Sequence, residues 1–225
     1  MEKIKNIIKI LRERDAGDIG IGAMIVFIAM VLVAGIAAAV LIQTANRLEI
    51  QAMQTGEQTK GEVSTGVHVL DITGHKDSGT GAINYIGITI TTRAGSGDVD
   101  LEQVFVEIAD INRKHVMKYY STEFHEKSEI NGDIFQAGFF DGLNGQRFGV
   151  VVLEDADGSC QSNTPVINRG DKVMLLIHCG SGRVFNGPVS ERTDIWGLVQ
   201  PEEGSGAVFA FRTPQAYSNT VMDLY

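Results

Sequence analysis

The residues best suited to chemistry form a short acidic loop in the second half of the chain. The loop reads Glu154-Asp155-Ala156-Asp157-Gly158-Ser159, so two aspartates lie beside a glycine that can turn freely. Carboxylate oxygens are the ligands that hard divalent cations such as calcium select. The third acidic ligand and the distant glutamate of an EF-hand are missing from the loop, which favours a solvated acidic turn. A divalent cation at Asp155 and Asp157 is the alternative prediction.

The remaining motifs predict no catalytic residues. The sequence contains no G-x-S-x-G nucleophile turn, no phosphate-binding loop and no dinucleotide-binding fingerprint. The segment His125-Glu126-Lys127-Ser128-Glu129 resembles a zinc-protease helix, but a glutamate stands where the second histidine is required. Arg169-Gly170-Asp171 spells an adhesion tripeptide, yet its position just before a strongly apolar segment predicts an ordinary turn. We therefore predict that the chain is not an enzyme and has no certain cofactor.

The two cysteines, Cys160 and Cys179, leave two alternatives open. In an extracellular domain they could form a disulfide, whereas in the cytosol both thiols would normally stay free. They show no C-x-x-C spacing, so a redox or zinc site is not predicted. A disulfide between Cys160 and Cys179 is thus one candidate feature, and the sequence alone cannot supply the distance that it requires.

A long apolar segment near the start of the chain dominates its organisation. Ile19 to Ile42 carries no charge and is long enough to cross a bilayer as one helix, which takes roughly 20 residues. Leu41, Ala45, Leu48 and Ala52 continue the helical spacing beyond it, so the predicted helix ends near Thr59. A secretory signal would not usually continue into an amphipathic helix of the mature protein.

The apolar segment is also rich in small residues, which predicts close packing between helices. Gly35 and Ala39, like Ala34 and Ala38, follow the small-x-x-x-small spacing that lets helices approach closely. Large side chains next to them could pack into the same interface of a neighbouring copy. The residues predicted to form this interface are Gly20, Gly22, Ala23, Phe27, Met30, Ala34, Gly35, Ala38 and Ala39.

The basic leader before this segment, residues 1–17, has three interpretations. It could belong to an ordinary secretory signal, hold a permanent single-pass anchor with its positive end in the cytoplasm, or be a pilin-type leader removed before the apolar segment. The abrupt end of charge at Asp18 favours the third interpretation, because an acidic residue there faces the positive end of the helix dipole.

The same residues carry a family resemblance. Gly20-Ile21-Gly22, the apolar stretch 25–34 and the alanine-rich continuation to Ile42 resemble the N-terminus of the archaeal flagellins, or archaellins, which are type IV pilin-like. The resemblance implies that a prepilin-peptidase-like protease cleaves a class III signal peptide between Gly17 and Asp18. It also implies that mature subunits leave the membrane and bundle their helices into an extracellular homopolymer, the archaellum filament, served by an assembly platform and a motor for swimming.

Residues 61–225 predict a β-rich outer domain. Apolar residues alternate along 86–90 and 104–108, as on strands with one buried face, whereas 148–153 and 173–179 are nearly continuous apolar runs expected at the centre of the core. Seven or more such strands predict an immunoglobulin-like antiparallel β-sandwich. The fold class is therefore α+β, with residues 18–60 as the long hydrophobic helix that carries this domain.

The charge balance excludes one class of partner. The formal net charge is −9, and the 19 basic residues include five in the leader, so the rest of the chain is strongly acidic. An acidic domain cannot neutralise phosphates, and nucleic acid is excluded as a partner. Two other functions fit the same plan: a type IV adhesion pilin and a membrane-anchored extracellular binding protein.

Overall fold

The structure, a computed structural model, describes residues 20–136 and 138–225 with their side chains, and residues 2–19 and 137 only as parts of backbone elements. The chain divides into two compact units, residues 1–57 and 58–225. Within the described residues, the first unit consists of helix alone. The second unit contains the last turns of the helix and every strand.

A single helix, α1, spans Glu2–Ser64. It runs about one turn beyond the end predicted near Thr59, because Gly61 does not interrupt it. A glycine within a helix costs about 1 kcal/mol relative to alanine, which weakens a helix without ending it. Thr65 still donates its backbone N–H to the Gly61 carbonyl at 2.8 Å, and the chain turns into the first strand only after that.

Twelve strands follow the helix. Their bounds are β1 Val67–Lys76, β2 Ile83–Thr92, β3 Val99–Asp100, β4 Phe105–Ala109, β5 Lys114–His125, β6 Arg147–Glu154, β7 Cys160–Gln161, β8 Thr164–Ile167, β9 Lys172–His178, β10 Asp194–Gln200, β11 Ala207–Arg212 and β12 Val221–Asp223. Short 3-10 turns at Lys127–Glu129 and Ala137–Phe140 lie between β5 and β6.

Nine of the strands form one large sheet in the order β11-β10-β4-β5-β6-β9-β2-β1-β12, and β3, β8 and β7 form a small second sheet. All neighbours in the large sheet are antiparallel except β5 and β6. Ser205, just before β11, accepts the backbone N–H of Val67 at 3.2 Å and donates its own to Thr65 at 2.9 Å. The sheet therefore curls until β11, at one end of the strand order, meets the start of β1.

The main core lies on the inner face of this curled sheet. Every strand of the large sheet contributes apolar side chains to one buried cluster, for example Ile88 from β2, Val106 from β4 and Phe209 from β11. Because the sheet closes around its own inner face, it needs no equally large second sheet to bury that face.

The two central strands β6 and β9 are buried on both faces. Val150 and Leu175 point into the main core, whereas Val151 and Leu176 belong to a second cluster on the outer face. Residues 126–145, which we call the covering segment, supply the other half of that cluster. The apolar residues that this segment contributes are Ile130, Ile134, Phe135, Phe139, Phe140 and Leu143. Burial on both faces explains why 148–153 and 173–179 are nearly continuous apolar runs.

The predicted fold class is confirmed: a long N-terminal apolar helix precedes a large, mostly antiparallel β domain. The four apolar segments located in the sequence coincide with β2, β4, β6 and β9, with ends shifted by a few residues. The short strands β3, β7, β8 and β12 were not predicted, since two to four residues are too few to show a period.

Candidate functional site

The surface of the helix is the first candidate site. Every residue from 20 to 60 is exposed, including large apolar side chains such as Phe27, Met30 and Leu41. The helix is long and apolar enough to span a membrane. Residues 20–42 thus present apolar surface on all sides, and they require lipid or other protein to remove it from water.

Three glycines of the apolar segment have no close neighbour in the described structure. A Cβ added at Gly20, Gly22 or Gly35 would meet no other atom within 4 Å. Glycine nevertheless destabilises a helix interior. Neither a close contact nor an unusual backbone angle within this chain requires these glycines. Their destabilising effect on the helix is therefore consistent with a neighbouring molecule that packs closely against them.

Helix geometry separates the nine predicted interface residues into groups. At roughly 100° per residue, six of them fall within an arc of about 80°. These six are Gly20, Ala23, Phe27, Met30, Ala34 and Ala38. Gly35, Gly22 and Ala39 lie outside this arc, about 100°, 120° and 140° from its centre. A shallow apolar depression also runs along the helix, lined by Val26, Ala29, Met30, Val33, Ala34 and Ala37.

The predicted cleavage site between Gly17 and Asp18 lies outside the described residues. It stays a prediction.

The acidic loop is the second candidate site, and the structure adds a third carboxylate to it. Oxygens of Asp155, Asp157 and Asp171 all lie within 4.8 Å of one another. Asp171 comes from the Arg169-Gly170-Asp171 turn before β9, where Gly170 has a φ of +104°. The sequence could not reveal this third member, because the β7–β8 hairpin separates it from the other two.

Hydrogen bonds within the chain already satisfy much of this cluster. Asp171 is only 1% exposed and accepts the backbone N–H of Asn168 at 2.8 Å. Asn168 also donates to Asp157 through its side chain, and this bond, followed by that from Ser159, holds the pKa of Asp157 below its usual value. The three aspartates could hold a divalent cation, yet the same contacts suit a well-ordered acidic turn. A cation at this cluster stays a prediction.

Both cysteines are buried free thiols. Each belongs to the main core, and neither is bridged to the other. Burial raises the pKa of Cys160 to about 12, and burial likewise raises the pKa of Cys179. Both groups therefore stay protonated at neutral pH, and they pack as small apolar side chains.

Two histidines outside the covering segment, His125 of β5 and His178 of β9, pack against it, and the sequence predicted a role for neither. The His125 ring stacks on Phe139 with ring centroids 3.8 Å apart, and its Nδ1 lies 2.8 Å from a Glu129 carboxylate oxygen. His178 of β9 lies against Tyr85 and 3.3 Å from the Phe140 carbonyl. Burial lowers the pKa of His178. The sequence feature that indicated aromatic packing in the covering segment was the set of three phenylalanines between 135 and 140. The segment is otherwise rich in glycine, asparagine and aspartate.

A helix with this exposed apolar surface, followed by a curled β domain, defines a class of protein. The family model for archaeal-type flagellin matches residues 17–211, and the chain belongs to that family.

Individual relatives agree over nearly the whole length. The chain is 43% identical to Flagellin B2 of Methanocaldococcus jannaschii over 205 residues, which cover 91% of this chain and 92% of the relative. It is 33% identical to Flagellin B3 of Thermococcus kodakarensis over 253 aligned positions, covering 94% of this chain and 98% of the relative.

Two solved structures share the fold. The crystal structure of archaeal flagellin FlaB1 from Methanocaldococcus jannaschii superposes with a TM-score of 0.63 at 33% identity, covering 71% of this chain and 96% of that chain. The archaeal flagellum of Methanospirillum hungatei superposes with a TM-score of 0.61, covering 90% of this chain and 98% of that chain. At 14% identity, this second likeness concerns the fold alone.

Proposed function

We propose that the chain is the structural subunit of an extracellular filament, the archaeal flagellum or archaellum, and that it polymerises through its N-terminal helix. Family membership supports this function. The outer β domain would cover a core of bundled helices, and identical subunits would be the main partners. Neither catalytic groups nor a cofactor have a part in this function.

The observation that carries the proposal is the exposed helix. Every residue from 20 to 57 is exposed. Burial of apolar surface is worth about 25 cal/mol per Å², so leaving this helix in water is strongly unfavourable. Lipid can cover the helix in a precursor, and copies of the same helix can cover it in a polymer. Small residues favour the second environment, since close helix packing needs them and lipid does not.

The proposed assembly pathway of the subunit follows from the same exposed helix. Residues 1–17 would direct insertion of the precursor into the membrane, with the basic end in the cytoplasm. A prepilin-peptidase-like protease would then cut between Gly17 and Asp18, and an assembly platform would transfer the helix from lipid into the growing filament. Rotation would come from a separate motor.

The test is to express the full chain in a motile archaeon whose own flagellin genes have been deleted. We expect filaments containing this chain, together with restored swimming. Filaments that support attachment without swimming would indicate an adhesion pilin. A monomeric chain that stays in the membrane and retains residues 1–17 would overturn the proposal in favour of an anchored binding protein.

A further inference from the structure

Exposed apolar side chains on the strands of the outer domain fall into two groups. On the outer face of β11, β10 and β5 lie Val208, Trp196 and Val116, of which Val208 is 74% exposed. At the opposite end of the strand order, β1 and β12 expose Leu70 and Val221, and Tyr225 follows β12 with 58% exposure. The charged residues around the two groups have opposite signs.

Two cations that have no ion-pair partner among the described residues lie beside the first group. Lys118 of β5 and Arg147 of β6 are direct partners in the ladder, and both are exposed. Neither forms an ion pair with any side chain that the structure describes, and Arg147 instead lies over the Tyr120 ring at 4.2 Å. We call this surface the basic patch; it consists of Val116, Lys118, Arg147, Trp196 and Val208.

Strand register places these side chains side by side. Leu198 is the partner of Val208 on one side and of Glu107 on the other, and Glu107 is the partner of Val116. Glu107 is neutralised by Lys114 at 2.6 Å. The net charge of the patch therefore comes from Lys118 and Arg147. Like charges directly opposite each other destabilise a sheet, so this arrangement is unfavourable in the isolated domain.

The second group is surrounded by carboxylates. Asp223 of β12 is the ladder partner of Thr73, and the Thr73 hydroxyl donates to Asp71 at 3.0 Å. Within the described part of the chain, no cation pairs with Asp71 or Asp223. Lys76, at the end of β1, donates instead to the Tyr217 carbonyl at 2.9 Å. We call this surface the acidic patch; it consists of Leu70, Asp71, Val221, Asp223 and Tyr225.

We infer that the basic patch of one subunit docks against the acidic patch of a second copy of this chain. This inference rests on the proposed function, since it names the contact through which outer domains meet in a polymer. The basic patch has two unpaired cations beside its apolar side chains, and the acidic patch has two unpaired carboxylates beside its own. The two patches are therefore complementary in charge. Docking removes both apolar groups from water and gives all four charges partners of opposite sign.

The alternative of pairing like patches is unfavourable. Two basic patches would bring Lys118 and Arg147 against their own copies, and two acidic patches would do the same with Asp71 and Asp223. Elsewhere the acidic domains repel one another, because the chain carries a net charge of −9. A contact between two different patches is heterologous, and heterologous contacts that do not close into a ring generate helical filaments.

Charge reversal with rescue tests the contact. The variant Lys118→Glu/Arg147→Glu and the variant Asp71→Lys/Asp223→Lys are each expressed as the full chain in a flagellin-deleted archaeon, and the polymer is measured by sedimentation and electron microscopy. We expect each variant to lower the polymer yield about tenfold or more, because like charges across an interface cost several kcal/mol. The combination of all four substitutions should restore the yield.

Lys127→Glu and Glu191→Lys are matched controls, since both residues are exposed and outside the patches.

A crosslinking measurement keeps the test independent of folding defects. In the variant Val208→Cys/Val221→Cys, both new thiols replace exposed side chains, whereas the native cysteines are buried. Treating sheared filaments with diamide should produce a ladder of covalent oligomers that neither single variant produces. If wild-type filaments form normally, either of two results would overturn the interface while leaving the proposed function intact. One is a normal polymer yield from the charge-reversal variants, and the other is the absence of covalent oligomers from the double-cysteine variant. A wild-type chain that forms no polymer would overturn both the interface and the proposed function.

Discussion

Phe209 of β11 lies directly opposite Gly197 of β10, and its ring occupies the space where a side chain at Gly197 would begin. A Cβ at Gly197 would lie 2.9 Å from Phe209 Cε1, and it would come closer still to Cζ and to the Glu107 carbonyl. The glycine therefore lets a fully buried aromatic ring lie flat against β10. On the other face of the same two strands lie Trp196 and Val208, so this inner contact supports the basic patch.

Replacing Gly197 with alanine should destabilise the outer domain. The added methyl group cannot avoid both the aromatic ring and a backbone carbonyl, and overpacking of this kind costs about 1–3 kcal/mol. Thermal unfolding of the variant should therefore occur at a temperature lower by several degrees. Gly187→Ala is the control, since a Cβ there meets nothing within 4 Å. Equal melting of the two variants would contradict this account of the Gly197 contact.

Enlarging the small residues of the helix should block assembly without preventing membrane insertion. Ala34→Leu/Ala38→Leu adds bulk within the arc of six interface residues, and leucine is at least as favourable in lipid as alanine. We expect the protein in the membrane fraction and few filaments in electron micrographs. Val40→Leu adds bulk outside both that arc and the apolar depression and should assemble better. Normal filaments from the double variant would show that this face does not pack.

The leader should be absent from filaments. Mass spectrometry of the filament subunit should show Asp18 as the first residue, because the basic leader cannot be buried with the apolar segment in a helix bundle. Gly17→Val should leave the precursor uncut and restrict it to the membrane, whereas Ala16→Ser should be processed normally. Filament subunits that begin at Met1 would contradict the prediction.

Acid should loosen the covering segment through His178. Burial, with a smaller effect from Arg183, lowers the pKa of His178 below its ordinary value of 6.5, while the Phe140 carbonyl and Asp141 act in the other direction. The unfolded chain thus takes up a proton at a higher pH than the folded chain does. Stability from this group is fully present above about pH 6.5 and is lost as the pH falls through the depressed folded value.

The measurement is hydrogen exchange of residues 126–145 in filaments at pH 7.5 and pH 5, corrected for the intrinsic exchange rates. Wild type should lose protection in acid, and His178→Gln should lose less. His68→Gln is the control, because His68 is exposed. Identical acid sensitivity in all three proteins would exclude His178 as the cause.

A divalent cation at the acidic loop should stabilise the outer domain measurably. If Asp155, Asp157 and Asp171 bind calcium, adding millimolar calcium should raise the melting temperature and a chelator should lower it. Asp157→Asn should abolish this difference, whereas Glu202→Gln, which changes an exposed carboxylate elsewhere, should preserve it. Melting that does not respond to the chelator would leave the loop as an ordered acidic turn.

The features that followed from the sequence are those with a long or regular pattern. The apolar helix was evident because about two dozen uncharged residues follow one another, and β6 and β9 were evident because burial on both faces removes polar residues from a strand. The small residues of the helix were recognised for the same reason, since their spacing is regular.

The features that escaped prediction depend on contacts between distant residues. Asp171 joins Asp155 only through the β7–β8 hairpin, whose strands have two and four residues. The covering segment has no periodicity, because a turn places Phe135 and a short 3-10 turn places Phe139 and Phe140, rather than a regular helix or strand. The two charged patches combine strands far apart in sequence, and only the strand order brings Arg147 next to Lys118.

The uniform exposure of residues 20–57 has a consequence for how such a fibre ages. A subunit leaving one end would have to carry its bare helix into water, so dissolved subunits cannot exist in equilibrium with the fibre at any useful concentration. In the proposed filament, new subunits would have to enter from the lipid phase, and released subunits could not be used again. Damage along the shaft would therefore accumulate, and the fibre would shorten by fracture rather than by gradual loss of single subunits.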